Sequence, residues 1–224
     1  MPTNRFPVQA DVAKFYGNPS INLTKWKKDY LVDIPCPWTL YVGKTPVHSI
    51  EINKKAAHSL TVVLNKIWDA VHRDQSAIET LHYHKYDGSF NFRPMRGGHA
   101  LSMHSYGIAI DFDADENQFG SHHALFKPDS LIVKAFEEEG WIWGGHWAKP
   151  DNMHFQAARV HALTDELREW NVPNSEWPVN LPPSTTIEDH SVVPDVTPVP
   201  DTPVVVPVSN STSVWSRIKH WFTE

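Results

Sequence analysis

The chain has 224 residues, 41% of them apolar, which is enough for one globular domain with a substantial core and some chain to spare. Its single cysteine, Cys36, cannot form an internal disulfide, and no uninterrupted apolar run approaches the ~18 residues that span a bilayer, so disulfide-stapled and membrane-spanning classes are excluded. The formal net charge of −6 divides into −2 over residues 1–170 (18 Lys+Arg against 20 Asp+Glu) and −4 over residues 171–224 (2 against 6), and neither part offers the basic surface that nucleic-acid binding requires.

The N-terminal stretch MPTNRFPVQADVAKFYG lacks the apolar run of a secretory signal, so synthesis in the host cytoplasm without a Sec-type signal is expected. From Asn53 to Asp74, Ala57, Leu60, Leu64, Ile67, Trp68 and Val71 recur at helical spacing, with Asn53 as N-cap. Short alternating runs around Phe90–Phe92, Ile108–Phe112 and Met153–Phe155 read as strands. A second helix is predicted to start near Asp129, after Pro128, and to stop before Gly140. Together these give an α+β fold: a small antiparallel sheet with flanking helices.

Composition shifts near residue 171. All ten glycines lie at or before Gly145, whereas nine of the eighteen prolines fall between Pro173 and Pro207. Residues 171–210 therefore read as an extended Pro-rich linker. Beyond it, Val214, Trp215, Ile218, Trp221 and Phe222 form an apolar stripe at helical spacing, with Ser213 as a possible cap. Residues 211–224 are thus expected to be an amphipathic segment that lies on a membrane surface, fills a partner's groove or packs back on the folded domain.

The chemistry concentrates in LSMHSYGIAIDFD, residues 101–113. On a strand from Gly107 to Asp113, Ile108, Ile110 and Phe112 face one side, while Ala109, Asp111 and Asp113 face the other. A carboxylate on a buried strand needs a partner, and His104, just across Gly107, can turn its imidazole toward Asp111. Two ligands are too few for a catalytic zinc, which usually takes three and leaves the fourth position to water. The stretch GWIWGGHWAKPDNMHFQ offers a third in His154, which points opposite to Met153 and Phe155, and places Asp151 three residues before it. Zinc lowers the pKa of bound water to about 7, and a nearby carboxylate can carry the proton to a leaving amine.

Ser102, His104, Gly107, Ala109 and Asp111 spell S-x-H-x-x-G-x-A-x-D, and Asp151 to Phe155 spells D-x-M-H-F, preceded by Gly144, Gly145 and Trp147. Over about residues 35–160 the chain resembles the M15, or VanY-type, zinc D-alanyl-D-alanine carboxypeptidases and L-alanyl-D-glutamate endopeptidases, in the branch common among phage endolysins. The resemblance implies one Zn2+ held by His104, Asp111 and His154, with Asp151 as general base. It also implies a substrate arginine, for which NFRPMRGG offers Arg93 and Arg96; Arg93 is preferred because it follows the strand predicted at Phe90–Phe92. Ser102 and Trp147 would be pocket or supporting residues, while His146, read as surface or hydrogen-bonded, stands close enough in sequence to line the cleft or contact substrate.

The domain organisation that follows is an N-terminal extension over 1–34 packing on the catalytic domain, the catalytic domain over 35–170, the linker over 171–210 and the terminal segment over 211–224. His82, His84, His99, His122 and His123 read as surface or hydrogen-bonded residues. Asp113, Asp115, Glu116 and Asn117 read as a solvated turn, because the Gly and distal Glu of a calcium loop are missing. Cys36 reads as a small buried residue. Ser102 lacks the G-x-S-x-G setting of a serine nucleophile.

Three functions remain open at this point. One is a monomeric, phage-type endolysin that cuts peptidoglycan stem peptides at the cell wall. Another is a host carboxypeptidase that trims terminal D-Ala during wall maturation. The last is an inactive metal-binding module for wall recognition, which Asp151 disfavours because a pure binder has no use for a base beside the metal.

Overall fold

A computed structural model describes residues 6–160. The expected linker and amphipathic segment lie outside the described residues.

The described chain begins with a 3-10 turn at Gln9–Asp11, followed by helix α1 (Val12–Tyr16) and helix α2 (Leu23–Tyr30). A long hairpin comes next, strand β1 (Leu31–Val42) paired antiparallel with β2 (Thr45–Asn53). Its pairing register breaks between Pro35 and Leu40, where Pro35 and Pro37 have no N–H to give to a ladder. Those prolines and the weak alternation around them hide both strands in the sequence.

Helix α3 (Lys54–Ala70) matches the helix predicted from Asn53, whose side chain accepts from the Lys55 amide. Its apolar face, with Leu60, Val63, Leu64 and Ile67 fully enclosed, packs on β1 and on helix α5 (Leu131–Glu138), the second predicted helix. A short helix α4 (Gln75–Thr80) follows α3 and is capped by Asp74.

The second sheet has four strands, β3 (Tyr86–Gly88), β4 (Ala109–Phe112), β5 (Ile142–Trp143) and β6 (His154–Gln156), in the order β3-β4-β6-β5, with every pair antiparallel. The fold is α+β as expected, with two small antiparallel sheets in place of one. The predicted strand at Phe90–Phe92 is irregular chain, and the strand lies earlier, at Tyr86–Gly88. Phe92 is solvent-exposed there, so its aromatic character reflects no burial in a sheet.

One face of the four-stranded sheet rests on the core. Ile110, Phe112 and Phe155 are completely buried, and Phe155 stacks on Phe136 of α5 at a centroid distance of 4.3 Å. The N-terminal segment adds Phe6, Val12 and Tyr16 to the same core. Among the described residues no helix is long and apolar enough to cross a membrane.

Asn53 joins the hairpin, α3 and the chain leading into β4. Fully buried, its side-chain amide donates to the carbonyls of Tyr16 and Tyr106, and its backbone N–H donates to Gly107 O at 2.7 Å. Gly107 has φ +60°, and a Cβ there would come within 2.5 Å of Leu31 Cδ2. Substituting Gly107→Ala is expected to destabilise the protein by at least about 1–2 kcal/mol in denaturant unfolding, from the left-handed backbone alone. Unchanged stability would mean that this turn carries no such constraint.

Candidate metal centre

Three residues from three separate segments converge on the open face of the four-stranded sheet. His104 sits in a 3-10 turn, Met103–Tyr106, capped by Ser102, whose hydroxyl accepts from the His104 amide. The left-handed Gly107 ends that turn and sends the chain into β4, where Asp111 follows. Asp111 lies directly opposite His154 in the antiparallel pairing of β4 with β6, so their side chains leave the same face.

The donor atoms meet closely. His154 Nδ1 is 2.9 Å from Asp111 Oδ1, His104 Nε2 is 3.2 Å from Asp111 Oδ2, and the two imidazole nitrogens are 3.2 Å apart. Bonds of about 2.0–2.1 Å to a tetrahedral zinc put neighbouring ligand atoms about 3.3 Å apart. The observed triangle is within a few tenths of an ångström of that size, and two imidazoles with one carboxylate are a donor set suited to zinc. The rear nitrogen of His104 fits as well, because Nδ1 lies 2.6 Å from Ser89 O and donates to it, leaving Nε2 free to ligate.

Two carboxylates in this region are driven in opposite directions. Burial works against the charge on Asp111, but without a metal the ring N–H groups of His104 and His154 that face it outweigh burial and hold the carboxyl well below the usual carboxylate range; a bound cation would take the place of those protons. Asp151 is pushed upward, chiefly by burial and further by the charge of Asp111, against the attraction of His154, His104 and Arg96. Its Oδ1 is enclosed and accepts no hydrogen bond. His154 is raised despite complete burial, because Asp111 faces its ring.

The Asp151 position depends on a close backbone approach. Its N–H donates to Gly144 O at 2.9 Å, and a Cβ on Gly144 would stand only 2.5 Å from Asp151 O. The glycine pair noted in the sequence is therefore part of the scaffold. In front of these groups opens a cleft of about 370 Å³, lined by all three candidate ligands, Asp151, Arg93 and Arg96, with Ser102 and Trp147 also on its wall.

Arg93 was expected to be held by a strand, and the structure holds it differently. Its N–H donates to Ser105 Oγ at 2.9 Å, and its carbonyl accepts from the Ser102 amide at 3.0 Å, which fastens it to the segment carrying His104. Arg96 lies over the Phe119 ring at 5.1 Å. His146 lies outside the cleft, exposed and 2.9 Å from Glu137 Oε1.

Among the residues given ordinary readings, Asp113 differs most from expectation. It is no solvated turn residue: its side chain is fully buried, 2.7 Å from His82 Nδ1 and 3.0 Å from Lys85 Nζ. Its φ of +48° ends β4, so the strand alternation stops before it. Met153 stands just before β6 and lines the cleft. Cys36 is largely shielded, and burial pushes its thiol up to about 12. Sequence reasoning missed Gln156, Gln9 and Phe119 in the cleft wall. For Gln156 a signal existed, because it stands two residues after His154 on a strand and so shares its face.

The protein is expected to bind one zinc ion per chain. His104→Ala should lower the zinc content measured by elemental analysis to a small fraction of that while the protein stays folded. Full zinc occupancy in His104→Ala would exclude His104 as a ligand.

No curated protein and no solved structure matches the chain. Residues 96–157, which include His104, Asp111, Asp151 and His154, match the model of a family described as D-alanyl-D-alanine carboxypeptidase, Peptidase_M15_4. The match spans 62 of the 224 residues and takes in every candidate metal ligand, so it supports a likeness to the M15 peptidases over the part of the chain that carries the site.

Proposed function

We propose that the chain hydrolyses a peptide bond in peptidoglycan stem peptides as a zinc-dependent peptidase, acting at the bacterial cell wall in the manner of a phage endolysin. The observation that carries this reading is the unpaired, upward-shifted carboxylate of Asp151 sharing one open cleft with the three-ligand set of His104, Asp111 and His154. Zinc in such a set supplies Lewis-acid polarisation of a carbonyl and acidification of water.

The remaining work falls to the chain's own groups. Asp111, held ionised, would compensate part of a bound cation's charge, and the two imidazoles would ligate as neutral rings. Asp151, whose Oδ1 has no donor, takes the proton of the attacking water and returns it to the leaving amine. Asp111 faces both ligating nitrogens within 3.2 Å and is therefore assigned the ligand role, whereas Asp151, with a buried oxygen that accepts no hydrogen bond, is assigned the base role. Arg93 lines the cleft, and an arginine there is suited to clamping a stem-peptide carboxylate or stabilising the oxyanion as water attacks.

A second reading, removal of terminal D-Ala by a host carboxypeptidase, draws on the match to a D-alanyl-D-alanine carboxypeptidase family. The two separate by product. Mass spectrometry of purified sacculi after digestion should find stem peptides cut internally if the endopeptidase reading holds, and free D-alanine with otherwise intact stems if the second does.

Asp151→Asn keeps the shape but cannot accept a proton, so bound zinc should be retained while kcat falls by roughly 10²-fold or more. Zinc loss from Asp151→Asn would make Asp151 a ligand instead.

Arg93→Ala is expected to lower kcat/KM by about 10²-fold with fold and zinc content unchanged. If Arg96→Ala is the inactive variant and Arg93→Ala is normal, the substrate arginine is Arg96.

A further inference from the structure

His154 is tied from behind by a residue that neither motif includes. Gln156 follows it on β6, is 1% exposed, and places Oε1 3.2 Å from His154 Nε2. Two other contacts decide which end of the Gln156 amide faces the ring. Its Nε2 donates to Ala158 O at 2.6 Å, a contact that would become repulsive between two oxygens if the amide were turned over. Gln9, anchored through its own N–H to Arg159 O at 2.8 Å, brings a side-chain donor to the same Gln156 oxygen at 3.5 Å. The atom facing His154 is therefore an acceptor.

An acceptor at Nε2 requires the His154 proton to reside there. Nδ1 faces the Asp111 carboxylate at 2.9 Å, so without a metal both ring nitrogens meet acceptors; with a cation at the shared centre only the Nε2 proton keeps its acceptor, and Nδ1 would be the ligating nitrogen. His104 is arranged in the mirrored sense, with Nδ1 donating to Ser89 O and Nε2 facing the shared centre. The two imidazoles thus present different nitrogens to one point, and each choice is imposed by an acceptor behind the ring. For His104 the acceptor is a main-chain carbonyl, which no substitution of Ser89 removes. For His154 it is a side chain, and the orientation can be altered by mutation.

We propose that Gln156 is a positioning residue for the metal centre: by accepting from His154 Nε2 it fixes the tautomer that offers Nδ1 as a ligand. This rests on the reading of His104, Asp111 and His154 as a zinc site. Gln156 touches neither substrate nor reacting atoms in this role. It acts through ring orientation and through the basicity of the ligating nitrogen, and loss of such an outer partner typically weakens metal binding 10–100-fold.

The test compares Gln156→Leu and Gln156→Glu with the parent, using competition with a chromophoric chelator for zinc affinity and long-range 1H–15N NMR of the zinc-loaded parent for the tautomer. Leucine removes both the acceptor at His154 and the donor to Ala158 O; glutamate keeps the acceptor and loses the donor. The parent should show His154 protonated at Nε2, Gln156→Leu should bind zinc about 10–100-fold more weakly, and Gln156→Glu should stay within about threefold of the parent. Equal weakening in both variants would make Gln156 only a tether to Ala158, and unchanged affinity in Gln156→Leu would give it no role; either result overturns the proposal. Should Gln156→Leu fail to fold, a proton on Nδ1 in the zinc-loaded parent would overturn it alone. A parent that binds no zinc would remove the metal reading as well, which separates the two failures.

Discussion

A carboxylate set on an interior strand must be neutralised or paired, because removing it from water without compensation costs several kcal/mol. Asp111 is in that position, and the fold answers by bringing an imidazole to each of its oxygens. His154 arrives through strand pairing, directly across from Asp111, whereas His104 arrives through a tight turn closed by Gly107. Breaking a buried pair of this kind by removing one partner typically costs roughly 3–5 kcal/mol. The same three groups that satisfy one another electrostatically leave their donor atoms on a triangle that suits a divalent cation. Stability and chemistry therefore draw on a single arrangement.

The rest of the domain keeps that arrangement fixed. Asn53 caps α3 and also binds the backbone at Tyr106 and Gly107, so the longest described helix is registered against the turn that carries His104. Phe112, Phe136 and Phe155 fill the space beneath the sheet, which anchors β4 and β6 from the side opposite the ligands. At the other rim, the Trp143 indole donates to Asn152 O and the Asn152 amide donates to Ser121 O, stitching the Asp151 segment to the loop that faces it. The backbone of His154, Asp151 and Arg93 is thus held by hydrogen bonds beside the cleft.

The parts legible in the sequence were those written in period or in motif. Helix α3 follows from the spacing of Leu60, Leu64 and Ile67 with Asn53 before them, and β4 follows from alternation around Asp111. The hairpin of β1 and β2 was not legible, because Pro35 and Pro37 break the usual strand signal and the structure accommodates them at a register shift. The error at Phe90–Phe92 has the opposite cause: alternating aromatics imitate a strand, while the backbone there is bonded to the His104 segment, with the Asn91 amide donating to His104 O. The buried role of Asp113 is not legible in the sequence because its partners, His82 and Lys85, are about thirty residues earlier in the chain, and no local pattern announces them. The convergence of His104 and Asp111 with His154 was visible only as two spaced motifs; the register that joins them is a property of the sheet.

The proposed site holds one zinc ion between His104, Asp111 and His154, with Asp151 standing apart from it as a base. Anomalous diffraction from crystals of the zinc-loaded protein, recorded at the zinc absorption edge, tests this most directly. The account predicts a single strong peak within bonding distance of His104 Nε2, His154 Nδ1 and one oxygen of Asp111, at about 2.0–2.2 Å, with Asp151 outside the coordination sphere. A peak bonded to Asp151, or one located away from these three residues, would contradict it.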